Sequence, residues 1–267
     1  MRILTSVIVA GIVAFGACTA TNSPSATDSP SAAIVRIAAA SDLQFALKDV
    51  NAAFARSHPG ITIEPQFGSS GSFSSQIEQG APFDVFLSAD VAYTRRLVDK
   101  HLADETSLFV YGIGRIVVWV PRDSHLDIET KGLAALADPA VRKVAIANPE
   151  HAPYGRAAEA ALKSAGLYEA VKPKLVLGEN VTQAAQFVQS GSADAGIIAL
   201  SIAESPTMKG SGRVWAVPVD AYPTLEQGGV VLSSAANPAA SRLYADFLKG
   251  PESREILSRY GFTSPAP

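Results

Sequence analysis

Cysteine is almost absent from this chain, with one residue, Cys18, among 267. A lone thiol cannot close an internal disulfide, so the fold must be held by its own core. Histidine is nearly as scarce: the four, at 58, 101, 125 and 151, show none of the spacing of a His-Glu-x-x-His zinc site. Charge is in short supply as well. Charged residues make up 18% of the chain, the formal net charge is -3, and the pI is near 5.8. That balance offers no general attraction for nucleic acid or anionic lipid. Any anion bound here must be held by local groups.

Glycine motifs of known chemistry are missing too. "GIGR" and "GSGR" lack the third glycine and the acidic partner of a dinucleotide site. "GSSGS" does not fit the Gly-x-Ser-x-Gly nucleophile elbow, because Ser70 is followed directly by Gly71. A serine hydrolase, with His151 and an acid serving Ser41, is therefore a distant alternative. No apolar run is long enough to span a bilayer comfortably. The longest, Ile3 to Phe15 in "MRILTSVIVAGIVAFGAC", follows a positive start and leads into small residues, which is the layout of an export signal over 1–17. Cys18 sits directly after Phe15-Gly16-Ala17, an arrangement that resembles a bacterial lipobox. Lipidation would make Cys18 the mature amino terminus. The segment 18–33 is rich in Ser, Thr, Pro and Ala without apolar periodicity, and reads as a flexible tether. Some 15 such residues span roughly 20 Å, enough to hold a domain off a membrane surface.

What the chain does have is a steady alternation of strands and helices from Ile34 onward, with 48% hydrophobic residues to fill its cores. Leu43, Ala46, Leu47, Val50, Ala53 and Phe54 recur at helical spacing until Pro59-Gly60 ends the helix. Ile61 to Phe67 and Asp84 to Ser88 read as strands. "RIVVWVP", "KVAIANP", "KLVLGEN", "DAGIIAL", "GRVWAVPV" and "GGVVLS" supply more. The pattern predicts an α/β fold with mostly parallel sheets. "RIVVWVP" is apolar throughout, as for a strand covered on both faces of a parallel sheet.

In such folds ligands sit beyond the carboxyl ends of strands, where helix amino termini point. Four junctions have unusual chemistry: Ala40-Ser41-Asp42, Gly68-Ser69-Ser70-Gly71, "NPEHAPYGRAA" from Asn148, and "GENVTQAA" from Gly178. Singly, each has an ordinary reading. Ser41 could cap a helix, the Ser69–Ser72 serines could form a turn, and Asn180 could cap a helix starting at Val181. Asp84 and Asp90 flank a strand and read as residues that cap or pair locally. Together the junctions supply unpaired helix-start amides and serine hydroxyls. The expectation is a donor-only pocket, with no Lys and no carboxylate at its centre and with Glu150 and Glu179 turned away. Such a pocket would suit a small, fully deprotonated oxyanion.

"AAASDL", "FGSSGS", "QIEQGAPFDVFLSAD", "NPEHAPYGRAAEAAL", "ENVTQAAQFVQSGSADAGI" and "FLKGPESREILSRYGF" together resemble the molybdate-binding proteins of bacterial ABC importers, in order from about Ile34 to Phe262. The resemblance implies a two-lobed periplasmic binding fold of type II. Each lobe would be a mixed, mostly parallel sheet flanked by helices, with the ligand in the cleft between them. It places one lobe at 34–113 and 222–267 and the other at 114–221. It implies no enzymatic activity and no cofactor, with molybdate or tungstate as the ligand. The ligand's oxygens would be bound by the hydroxyls and amides of Ser41 and Ser70 and by the backbone amides of Tyr154 and Val181. No side chain would ligate the metal itself. Sulfate, with shorter bonds, would be under-coordinated, and hydrogen phosphate would find no acceptor; a sulfate binder of the same fold is the nearer alternative. Many relatives carry a tyrosine where this chain has Ala199, and the Tyr154 phenol is the expected substitute donor. The implied partner is the permease of an ABC importer, met by an exported monomer on the outer side of the membrane and held there by its lipid alone.

Overall fold

The computed structural model describes residues 33–264. The expected export signal at 1–17, Cys18 and the expected tether up to residue 32 lie outside the described residues. Ten strands carry the fold: β1 (Ala33–Ala40), β2 (Ile61–Gly68), β3 (Val85–Ser88), β4 (Phe109–Gly114), β5 (Ile116–Pro121), β6 (Val144–Ala147), β7 (Leu175–Gly178), β8 (Ala195–Ala199), β9 (Gly212–Ala216) and β10 (Leu225–Val231). The helices among them are α1 (Gln44–Ser57), α2 (Ser70–Glu78), α3 (Val91–Asp99), α4 (Ile128–Lys131), α5 (Pro153–Ser164), α6 (Tyr168–Val171), α7 (Val181–Gln189), α8 (Leu200–Ala203), α9 (Pro238–Lys249) and α10 (Pro251–Arg259).

The strands form two five-stranded sheets, in the orders β2-β1-β3-β10-β4 and β7-β6-β8-β5-β9. The chain leaves the first sheet at Gly114, enters the second at Ile116, and returns between Ala216 and Leu225. β4 thus keeps Gly114 with the first sheet, and β1 begins at Ala33, one residue to either side of the expected limits.

The two sheets share one plan. β1 runs parallel to both β2 and β3, and β6 runs parallel to both β7 and β8. The strand that arrives from the other sheet is antiparallel to both its neighbours: β10 between β3 and β4, and β5 between β8 and β9. "RIVVWVP" is indeed buried along Ile116–Val120, but in an antiparallel setting. The reason is directional. β1, β2, β6 and β7 run toward the junctions that carry the serines and helix starts, whereas β5 starts at the crossing and runs away from it. Sequence periodicity reports burial and is blind to that direction.

Local chemistry accounts for the element edges. All six periodic residues of the first amphipathic stretch, Leu43 to Phe54, are buried in the core beneath the first sheet. β2 is an edge strand, which tolerates Pro65 and alternates half-buried with exposed residues. Ser69, Asp90 and Asn180 each cap a helix by accepting an amide two or three residues on. β4 has no clean alternation in "FVYGIG" and went unread as a strand; its pairing with β10 defines it.

Asp84 is not a local cap. Its carboxylate is buried and takes the Arg36 amide at 2.7 Å and the Ala236 amide at 2.6 Å, tying β1 to the loop before α9. Two charge-assisted bonds join segments far apart in sequence. We therefore expect Asp84→Ala to lower the unfolding free energy by about 3 kcal/mol in urea denaturation. A loss below about 0.5 kcal/mol would show that these bonds contribute nothing net.

Candidate functional site

The four junctions converge. Ser41, Ser70, Tyr154 and Val181 line one small cavity together with Ala40, Asp42, Gly68, Ser69, Ala89, Ala152, Pro153 and Asn180. It offers about 10 Å³ to the centre of a water-sized sphere, about the room that one water molecule needs. A larger groove of about 470 Å³, bordered by Asp123 and His125, contains none of the four residues and opens to solvent. The small cavity is the better candidate because helix starts meet there.

Each of the four residues stands at or beside the first turn of a helix. Ser41 opens a 3-10 turn, Ser41–Leu43, directly after β1, and its side chain does not cap it. Its Oγ instead accepts the Thr182 amide at 3.4 Å, while Thr182 Oγ1 donates to the Ser41 carbonyl at 3.0 Å. Ser70 is the first residue of α2, where Ser69 does the capping. Ser70 Oγ accepts the Ala89 amide at 2.9 Å. Each hydroxyl thus has one lone pair engaged by a backbone N–H and its own proton free to donate. Tyr154 and Val181 are the second residue of α5 and the first of α7, positions whose amides have no partner within the helix. Cavity-lining residues include no Lys or Arg.

One expectation fails here. Asp42 lines the cavity and is 1% exposed, so a carboxylate does stand at the site. The 3-10 turn folds it inward, where donors await it. Its Oδ2 receives the Tyr154 hydroxyl at 2.9 Å and Gln227 Nε2 at 2.8 Å, whereas Oδ1 is buried without a partner. Gln227 is oriented in turn by the Tyr111 hydroxyl, 2.9 Å from its Oε1, beside a register shift in β10. Burial pushes the Asp42 carboxyl up to about 6, against the lowering effect of the bonds from Gln227 and Tyr154. Burial, and then the neighbouring Asp42 charge, holds the Tyr154 phenol well above its ordinary range, so it stays protonated.

The Tyr154 phenol is therefore not the substitute donor expected opposite Ala199. It points to Asp42, and its place is set by Gly114, where a Cβ would stand 2.4 Å from the phenol oxygen. Ala199 is fully buried at the end of β8 and offers no side-chain donor. Asp42 and Thr182 lie within the junctions marked by the sequence, which assigns them no role, whereas Gln227 and Tyr111 lie outside those junctions. The available signal was Gln227, a lone glutamine within the buried run of "LEQGGVV".

Around the cavity, residues carried by the two sheets touch. The Gly71 amide donates to the His151 carbonyl at 2.9 Å, and a Cβ at Gly71 would come within 2.6 Å of that oxygen. Ser201 Oγ donates to the Asp42 carbonyl at 2.8 Å. Arg156 bonds Asp90 at 2.8 Å and the Tyr93 hydroxyl at 3.0 Å, so Asp90 is more than a local cap. Glu150 and Glu179 are exposed and face outward; Glu179 Oε1 takes Ser72 Oγ at 3.2 Å and lies 3.2 Å from His151 Nε2. Ser41 makes no bond to His151, so no triad forms around it. Among the described residues, no three His, Cys, Asp or Glu side chains cluster as a metal site. Nor is any described helix long and apolar enough to cross a membrane.

Comparison with known proteins finds relatives along most of the chain. A family model for bacterial extracellular solute-binding proteins matches residues 35–263. The molybdate-binding protein ModA of Rhodobacter capsulatus is 40% identical over 217 residues, covering 81% of this chain and 83% of that protein. ModA of Azotobacter vinelandii is 37% identical over 231 residues, covering 86% and 90%. The solved periplasmic molybdate-binding protein of Azotobacter vinelandii superposes with a TM-score of 0.81 at 31% identity, over 87% of this chain and all of that one.

Asp42 makes stability depend on pH. Its carboxyl titrates near 6 in the folded chain against an ordinary 3.8, so the folded state holds the proton longer than the unfolded one. Stability then falls as pH rises from about 4 to about 6 and stays lower above that. Asp42→Asn keeps the shape and removes the charge. It is expected to raise the unfolding free energy by about 3 kcal/mol at pH 7.5 and by almost nothing near pH 3.5. Denaturant titrations at the two pH values decide; equal effects at both would refute a buried charge as the cause.

Proposed function

The chain belongs to the bacterial extracellular solute-binding proteins, the family of its molybdate-binding relatives, and on that premise we propose that it captures molybdate or tungstate for the permease of an ABC importer. It works as a binding protein and not as an enzyme. The observation that carries this reading is the donor set of the cavity. Two serine hydroxyls are each turned by a backbone amide so that their protons remain to be given, and helix starts face them. The starts of α2, α5 and α7 each contribute roughly half a positive elementary charge. Together they offset much of a dianion's charge without any cationic side chain.

In this reading Ser41 and Ser70 bind through hydroxyl and amide, and Tyr154 and Val181 through their amides. The lobes are the portions carrying the two sheets, with the chain crossing between Gly114 and Ile116 and again between Ala216 and Leu225. An anion bonded from both lobes favours the closed form by as much as its contacts differ between open and closed states. Gly71 permits that closure, since any side chain there would strike the His151 carbonyl. At the amino terminus, we read export under the signal at 1–17, a lipid on Cys18, and a tether that leaves a monomer free to meet its permease. The same arrangement could hold sulfate, and ligand size decides between the two.

Isothermal titration with molybdate, tungstate, sulfate and phosphate tests the reading. One molybdate or tungstate per chain is expected, with sulfate far weaker; equal affinity for sulfate would overturn the choice of ligand. Ser41→Ala and Ser70→Ala each remove a donor to a charged oxygen, a loss of about 1.5 to 3 kcal/mol, or roughly ten- to a hundredfold in affinity. Val181→Ala keeps its amide and is expected to lose much less. A larger loss at Val181 than at both serines would mean that the contacts are misassigned. For the anchor, mass spectrometry of the mature amino terminus should find a lipidated Cys18, and Cys18→Ala should release the protein from membranes with binding intact. An unmodified terminus beginning elsewhere would refute the anchor.

A further inference from the structure

The donor set leaves one group unexplained. Asp42 is buried in the wall of the cavity, and its Oδ2 is saturated by Tyr154 and Gln227 while Oδ1 has no partner at all. An ionised carboxylate there would repel a dianion and leave a bare oxygen against it. A neutral acid would do the opposite, since a protonated Oδ1 is a donor.

We propose that Asp42 meets the oxyanion as a neutral acid, with one proton drawn from solvent lying between Oδ1 and a ligand oxygen, so that binding takes up one proton. The inference rests on the oxyanion reading above. Geometry supports it from each side of the carboxyl. The groups facing Asp42 are the Tyr154 phenol from α5 and Gln227 from β10, with the Tyr111 phenol of β4 behind Gln227. Ser201 from α8 bonds only its backbone carbonyl. None of these groups is a cation, so none of them neutralises an ionised Asp42 beside a dianion. His151 and Glu179 pair with each other and make no bond to Asp42. Burial already raises the carboxyl to about 6, and a neighbouring dianion raises it further. The proton also restores a pocket made only of donors, which gives hydrogen phosphate no acceptor.

The test is calorimetric. Sodium molybdate is titrated into the purified protein between pH 6.5 and 8.5, at each pH in two buffers of different ionisation enthalpy. The wild type is expected to take up about one proton per molybdate at pH 7.5, with Kd rising about tenfold per pH unit above pH 7. Asp42→Asn carries a fixed donor in place of the titrating one. It is expected to bind with no proton uptake and with a Kd that changes less than twofold over the range. Should that variant fail to fold, the wild-type proton count still decides. One-to-one molybdate binding with no proton uptake would overturn this inference and leave the proposed function standing. Absence of binding by every oxyanion would overturn the function itself. Phosphate bound as tightly as molybdate, and lost in Asp42→Asn, would mean an ionised Asp42 that accepts the ligand's proton, again contrary to the proposal.

Discussion

The buried contact between Asp42 and Tyr154 is the constraint around which the cleft is organised. Asp42 follows β1 in the first sheet, Tyr154 begins the helix after β6 in the second, and Gln227 lies on the strand that returns the chain from the second sheet to the first. A carboxylate this deeply buried is tolerated only with donors on it. Two of its donors come from segments more than a hundred residues away. The contact therefore exists only when both sheets are formed and brought together. Gly114, at the crossing itself, must lack a side chain for the phenol to fit.

From that contact the geometry of the cavity follows. With Tyr154 fixed by its phenol, the start of α5 is aimed at the serines of the first sheet. Thr182 at the start of α7 bonds Ser41 through both backbone and side chain. The Ser70 hydroxyl is oriented by the Ala89 amide just after β3 of its own sheet, whereas the Ser41 hydroxyl is oriented by Thr182, which follows β7 of the other sheet. Pre-orientation of this kind reduces the ordering of these protein donors that binding would otherwise require. Outside this ring, Gly71 bonds the His151 carbonyl, and Arg156 pairs with Asp90 at partly exposed positions where such an ion pair is individually weak.

The antiparallel strand in each sheet belongs to the same logic. A chain that crosses between sheets beside the cleft must begin its new strand at the cleft, running against strands that end there. β5 and β10 are the two cases, one for each crossing. Both sheets consequently present the carboxyl ends of their parallel strands, with the helix starts that follow them, to one shared space.

What the sequence by itself determined was local. The 3.6-residue spacing from Leu43 to Phe54 specified a helix and its buried face, because periodicity is a property of neighbours along the chain. The small and hydroxyl residues at Ser41, Ser69-Ser70, Pro153-Tyr154 and Asn180-Val181 marked helix starts rich in donors, and all of them line one cavity. Tertiary structure alone decided the rest. The direction of β5, the existence of β4, the reach of Asp84 to Ala236, and the turning of Asp42 and Tyr154 toward each other all depend on partners remote in sequence. An aspartate after a strand reads as a surface cap until Tyr154 and Gln227 are known to be waiting for it. Only folding brings those donors within 3 Å of its carboxylate, and their hydrogen bonds are what make its burial possible.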